Sequence, residues 1–175
     1  RAFLEASRPW PNFEGAYRPL VELARERGWP VYATNLPQAL ATAVARGGLA
    51  ALDSLDPEQR SWAAGEADCS TGPYWDRFVE AMVDTGDDSG HIAVNRNDQM
   101  LRPMFEAQCS RDEAMAETLA AVAGEGPLVY HVNGAFHSDF RLGAVSRLLR
   151  RRPDLEIRVV SALPEDDREA VISNE

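Results

Sequence analysis

The sequence predicts an α/β fold: one domain of 175 residues in which a parallel sheet is flanked by helices, with a smaller helical insert at about residues 53–97. Three observations carry that expectation. From Tyr17 to Gly48, "YRPLVELARERGWPVYATNLPQALATAVARGG" sets a helical period, a short β-rich run and a second helical period end to end with tight joints. From Pro127, "PLVYHVNGAFHSDFRLGAVSRLLRRRPDLEIRVVSAL" repeats the rhythm as strand, loop, helix and strand, a βαβ unit of ordinary length. Between the two, residues 53–97 are acidic, broken by turn clusters and free of any strand pattern.

In chain order, the first helix places Leu20, Val21, Leu23 and Ala24 on one face and stops at Gly28. "PVYAT" then reads as a buried strand over 30–34. The second helix has Pro37 in its first turn and Gly47 as terminator. In the insert, "LDPEQRSWAAG" is a short helix with Asp56 as cap and Pro57 at its first position, and "PYWDRFVEAMVD" is another. His91, in the loop "DTGDDSGH", reads as a solvated side chain. "QMLRPMFEAQCSRDEAMAETLAAVAGEG" is one long helix ending near Gly124 and begun or kinked at Pro103. Its Met100, Met104 and Met115 read as core filling. "PLVYHV" and "LEIRVVSAL" are the closing strands, and a helix starting at His137 lies between them.

Composition narrows the chemistry. With 18 basic and 28 acidic residues the net charge is −10, which opposes nucleic acid as a partner. All 18 basic residues are arginine, so Schiff-base lysines, Walker-type phosphate lysines and Ser–Lys dyads are excluded within this chain. Arg150, Arg151 and Arg152 fall at a helix C-terminus, where the helix dipole favours cations. No apolar run is long enough to span a membrane. The chain opens on "RAFLEAS", without initiator Met or leader, so a removed leader or an upstream segment is expected, and a lipid anchor on it stays open. Cys69 and Cys109 fit no CxxC pattern. In an exported protein they would pair, closing a loop of about 40 residues worth about 4 kcal/mol; in a reducing compartment they would be small buried side chains.

In open parallel sheets, ligands sit beyond the carboxyl ends of strands. Three such ends are Asn35, the pair Asn133 and Gly134, and Ser161. His137 lies at the start of the helix after the second, with ring nitrogens free to bind a metal or to act as a base. His131 alternates with Tyr130 inside the strand and reads as a hydrogen-bonded structural residue. Gln108, Asp112 and Met115 share one face of the long helix, bordering either a cleft or solvent. No G-x-S-x-G elbow, H-E-x-x-H motif or glycine-rich dinucleotide fingerprint occurs.

"YRPLVELARERGWPVYATNLP", "ARGGLAAL", "AQCSRDEAMAETL" and "VNGAFHSDFRLGAVSRLLRR" together resemble the ChaN family of haem-binding, iron-uptake-associated bacterial proteins, a branch of the Tiki superfamily. The order A-Q-x-x-x-D-x-x-M-A then N-G-x-x-H-x5-G carries the likeness, which runs from about Tyr17 to Ser161. The resemblance implies an exported protein, often a lipoprotein, that binds haem as a cofacial pair at a homodimer interface with Tyr or His on the iron. It places His137 on the family's loop histidine and Gly143 on the glycine after it. Gln108, Asp112 and Met115 fall on the helix motif, and Asn35 on the polar residue after a strand. The family's opening strand with a G-E-x-x-H motif does not precede Tyr17, so the resemblance also implies that this chain is a C-terminal portion lacking N-terminal strands.

The expected ligand is therefore haem, or in the alternative a divalent metal ion. His137, Tyr130, Asn133 and Gly134 are its binding residues, and Asn35, Gln108, Asp112 and Met115 line its pocket. Tyr130, Tyr17 or Tyr74 could give ferric iron an anionic oxygen, and Phe136, Met104 and Trp75 could cover porphyrin faces. Related branches that are hydrolases imply a rival: His137 working with acids from an N-terminal segment. A third reading is a domain whose ligand site has decayed.

Overall fold

The computed structural model describes residues 12–84, 101–124 and 128–162. The chain forms two compact units, Arg1–Ala33 and Thr34–Glu175. In the first, a π-helical turn over Phe13–Tyr17 runs into α1, Arg18–Arg27. Gly28 ends it at φ 66°, a left-handed cap that costs glycine nothing. The apolar stripe read from the sequence is exposed along this helix, at 44% for Leu20 and 40% for Leu23.

The second unit is helical. Its elements are α2 (Gln38–Gly47), a 3-10 stretch Leu49–Ser54, α3 (Pro57–Arg60), α4 (Pro73–Asp84), α5 (Leu101–Val122), 3-10 turns at Ala135–His137 and Asp139–Arg141, and α6 (Gly143–Arg151). Asp56 caps α3 by accepting from the Gln59 amide at 2.9 Å, as its position before Pro57 predicts. Pro103 falls among the first described residues of α5.

The expected parallel sheet is not there. Among the described residues there is no strand, and helices account for 63% of them. The runs read as strands, 30–34, 128–132 and 155–162, lack any ladder of backbone hydrogen bonds. A β-rich run becomes a strand only when a neighbour takes up its amides and carbonyls. Here the apolar side chains stand open instead: Val31 is 61% exposed, Leu128 83% and Val160 94%. The helix expected from His137 is also shorter. Phe140 and Arg141 adopt φ of 56° and 58°, left-handed values that interrupt it, so α6 begins at Gly143. His91 lies outside the described residues.

α5 is the axis of this unit and packs against neighbours on several sides. Ala107 and Ala114 meet Leu40, Ala41 and Val44 of α2. Leu101, Phe105 and Cys109 meet Tyr74, Phe78 and Val79 of α4. Ala116 and Leu119 meet Leu148 of α6. Cys69 and Cys109 form a disulfide, the pairing expected of an exported protein. No helix among the described residues is long and apolar enough to cross a membrane.

One charged cluster fastens α6 to α5. Glu113 has no exposed surface, and Arg147 (3.1 Å), Arg150 (2.8 Å) and Arg151 (2.6 Å) all reach it. The Asp68 amide adds a bond to it at 3.1 Å. The basic cluster therefore does more than meet its own helix dipole. Arg150 and Arg151 compensate a buried carboxylate, while Arg152 donates to the terminal carbonyls of α5, Ala120 at 3.2 Å and Ala123 at 2.9 Å. Glu113→Gln leaves Arg147 buried without its counter-charge and is expected to cost about 3–5 kcal/mol in urea unfolding. A loss below about 1 kcal/mol would show that solvent already screens the cluster.

Candidate functional site

Gln108 and Asp112 lie one turn apart on α5, and α4 brings Tyr74 against them. His137 arrives from the loop, at the end of a 3-10 turn closed by its own amide on Gly134 O at 2.9 Å. The four side chains form one network. Tyr74 Oη donates to Asp112 Oδ2 at 2.6 Å, and His137 Nδ1 lies 2.8 Å from Asp112 Oδ1. Gln108 Nε2 is 3.1 Å from both Tyr74 Oη and His137 Nδ1.

Asp112 has no exposed surface, so its carboxylate needs partners, and Tyr74 O–H and His137 Nδ1–H supply them. With Nδ1–H given to Asp112, the Gln108 amide donates to Tyr74 Oη. In that tautomer the second ring nitrogen, Nε2, is the one left outside the network. Tyr74 stays a phenol: burial pushes its pKa up, and the Asp112 charge pushes the same way.

The loop is held to this geometry from several directions. Arg77 of α4 stacks 4.2 Å from the Phe140 ring and reaches Asp139 at 3.5 Å. Ser161 donates to the same Asp139, and Phe136 joins the aromatic cluster at 5.4 Å from Tyr74. Arg147 donates to Gly143 O at 3.0 Å and lies 5.1 Å over the Tyr74 ring. Gly143 itself has φ 53°, and a Cβ there would fall 2.5 Å from His137 O and 3.0 Å from Asp112 Oδ1. That is why a glycine stands six positions after the histidine.

Of the residues expected to form the site, Gln108, Asp112 and His137 come together. Met115 is 1% exposed inside the core. Asn35 Oδ1 faces Arg111 at 3.4 Å, Asn133 donates to Gly134 O at 3.1 Å, and Tyr130 is 78% exposed. Trp75 packs edge-on to Phe105 at 5.1 Å, and Met104 lines a groove between α2 and α5. His131 is half-buried with its Nε2 3.0 Å from Thr34 Oγ1. Arg147 is the residue the sequence reading missed. Its signal was position: it shares the buried stripe of α6 with Ala144 and Leu148, where an arginine must have a partner.

The sequence model of the family described as haem-binding uptake, Tiki superfamily, ChaN matches residues 1–148. The chain belongs to this ChaN family. No curated protein and no solved structure gives a match. The ChaN match takes in Tyr74, Gln108, Asp112, His137 and Gly143.

Two outcomes are expected. Gly143→Ala should break the His137–Asp112 bond, seen as loss of the downfield Nδ1 proton resonance, and should destabilise the fold by about 1–3 kcal/mol. An unchanged resonance would mean that the loop yields to the added methyl. The second concerns His131, whose pKa is lowered by burial and then by the neighbouring His137. The unfolded chain therefore binds a proton more readily than the folded one. Stability should be full above the unfolded histidine value of about 6.5 and fall as pH drops through the lower folded value. His131→Asn should flatten that part of the urea-midpoint profile, and an unaltered slope would acquit His131.

Proposed function

We propose that this chain takes up haem in an exported compartment and holds its iron through Nε2 of His137. The observation that carries the reading is the Asp112–His137 pair, 2.8 Å apart, with the carboxylate wholly buried and the histidine side chain 15% exposed. A buried carboxylate behind an imidazole fixes the tautomer, orients the ring and raises its strength as a donor. A bare divalent cation is the alternative ligand, but protein sites for one draw on three or more donors. Among the described residues no group of three or more His, Cys, Asp or Glu is arranged to hold a metal. Porphyrin brings four nitrogens of its own and asks the protein for only one or two. The residues present fit that demand.

Bound haem would supply ferric iron as the centre to be ligated. The protein's part is then to present Nε2, to keep Nδ1–H on Asp112, and to keep Tyr74 protonated so that its O–H stays on the same carboxylate. A strongly donating imidazole favours the ferric over the ferrous state, which suits haem that is carried and not reduced. The disulfide supports an oxidising location.

The same Asp–His pair also supports a second reading, a hydrolase in which His137 Nε2 takes a proton from an attacking water. Titrating haem into the protein separates the two. The first reading expects a Soret band that His137→Ala abolishes and Asp112→Asn weakens, with roughly 10- to 100-fold loss of affinity. Haem-independent ester or peptide turnover, lost in the same variants and with no Soret shift at micromolar haem, would replace it with the second.

A further inference from the structure

Beside the His137 cluster lies a groove of about 320 Å3 between α2 and α5. The contacts show these helices to be antiparallel: Arg111 bonds to Gln38 at one end, and the Leu49 amide bonds to Glu106 toward the other. The floor is small and apolar, with Ala41 and Ala45 from α2 facing Met104 and Ala107 from α5. Their spacing, i and i+4 on one helix and i and i+3 on the other, lines a single face of each. Arg111 bonds to Gln38 at one end of α2, and Arg46 lies eight positions along that helix toward the other, a rise of about 12 Å at 1.5 Å per residue. Gln108 borders both the groove and the His137 network.

The charge of the two arginines is the unusual feature. The chain has 28 acidic residues for 18 arginines, and most described arginines near the core take one: Arg102 has Glu106, Arg77 has Asp139, and Arg147, Arg150 and Arg151 share Glu113. Arg111 instead bonds to two neutral amide oxygens, Asn35 Oδ1 at 3.4 Å and Gln38 Oε1 at 2.6 Å. Its burial works against its charge, with only the nearby Asp112 opposing that effect. Asp112 is already committed to Tyr74 and His137. Arg46 likewise forms no ion pair among the described residues. A groove floored by alanines and Met104, with a guanidinium lacking a carboxylate partner toward each end, is complementary to an apolar ligand edge that carries two carboxylates.

We infer that this groove seats the propionate-bearing edge of the tetrapyrrole, with Arg46 and Arg111 as its two carboxylate anchors. The inference rests on the haem reading above and deepens it. It divides recognition into two parts: His137 reads the iron and the groove reads the organic acid. A tetrapyrrole without iron would therefore still bind, through the arginines alone.

Metal-free protoporphyrin IX tests this, read by fluorescence against the intact chain and the Arg46→Gln/Arg111→Gln double variant. The intact chain should bind it, since no iron bond is at stake. The double variant should bind at least about tenfold more weakly, the loss expected when charge-assisted hydrogen bonds to carboxylates are removed. The dimethyl ester of protoporphyrin IX should bind the intact chain as weakly as the free diacid binds the double variant, a comparison that needs no variant to fold. Equal binding of ester and diacid overturns the inference, as does an unchanged affinity in a folded double variant. If haem gives a Soret band that depends on His137 while the arginines make no difference, the haem reading stands and the groove falls. If the diacid binds through the arginines but haem gives no Soret shift, the groove stands and iron ligation falls. Failure of the intact chain to bind any porphyrin overturns both.

Discussion

The burial of Glu113 is the constraint on which the rest of the second unit depends. A lone carboxylate without water would be prohibitive there, and the structure answers it with three guanidiniums of one helix and a backbone amide. Those arginines leave α6 one place to sit. Because Arg147 also donates to Gly143 O, the same contact sets the far end of the His137 loop. Glu113 and Asp112 are neighbours in sequence, so their side chains leave α5 about 100° apart. Fixing one toward α6 therefore aims the other at Tyr74 and His137. The charge that seats α6 and the charge that meets His137 are therefore set together.

Beside these buried charges, α5 makes two apolar contacts. α2 approaches closely because Ala107 and Ala114 have little side chain to keep it away. α4 brings aromatic bulk, with Phe78 5.4 Å and Tyr74 5.7 Å from Phe105. The phenol of Tyr74 is the point where the two regimes meet: its ring belongs to the aromatic cluster and its hydroxyl to the Asp112 network. In that position the tyrosine keeps the carboxylate dry without leaving it unsatisfied.

Much of this was legible beforehand, and the boundary between what was and was not is physical. Helix positions were readable because capping and periodicity are local: Asp56 before Pro57, and the whole of Pro73–Asp84, lie where the sequence puts them. Gln108, Asp112 and His137 were legible as candidates, the first two through one helix face and the third through a loop histidine. The parallel sheet was not, since "PVYAT" and "PLVYHV" have β composition but pairing depends on what lies alongside, which no local pattern records. Likewise the role of Tyr74 as a protonated donor to Asp112 depends on a residue 38 positions away. Gly143 was noted only for its place in a motif. Its reason, the closeness of His137 O, is a property of the folded chain.

The bridge between Cys69 and Cys109 alters how far apart the partners in this site are along the covalent chain. Through the backbone, Tyr74 and Asp112 are separated by 38 residues. Through the bridge, Tyr74 is five residues from Cys69, and Asp112 is three residues beyond Cys109. Once oxidised, the chain meets the Tyr74–Asp112 contact as a short-range event, with a correspondingly smaller entropy of loop closure. The effective contact order of the site falls, and with it the part of the folding search that delays non-local contacts. Oxidation therefore acts as a kinetic shortcut to the site as well as a brace on the finished fold.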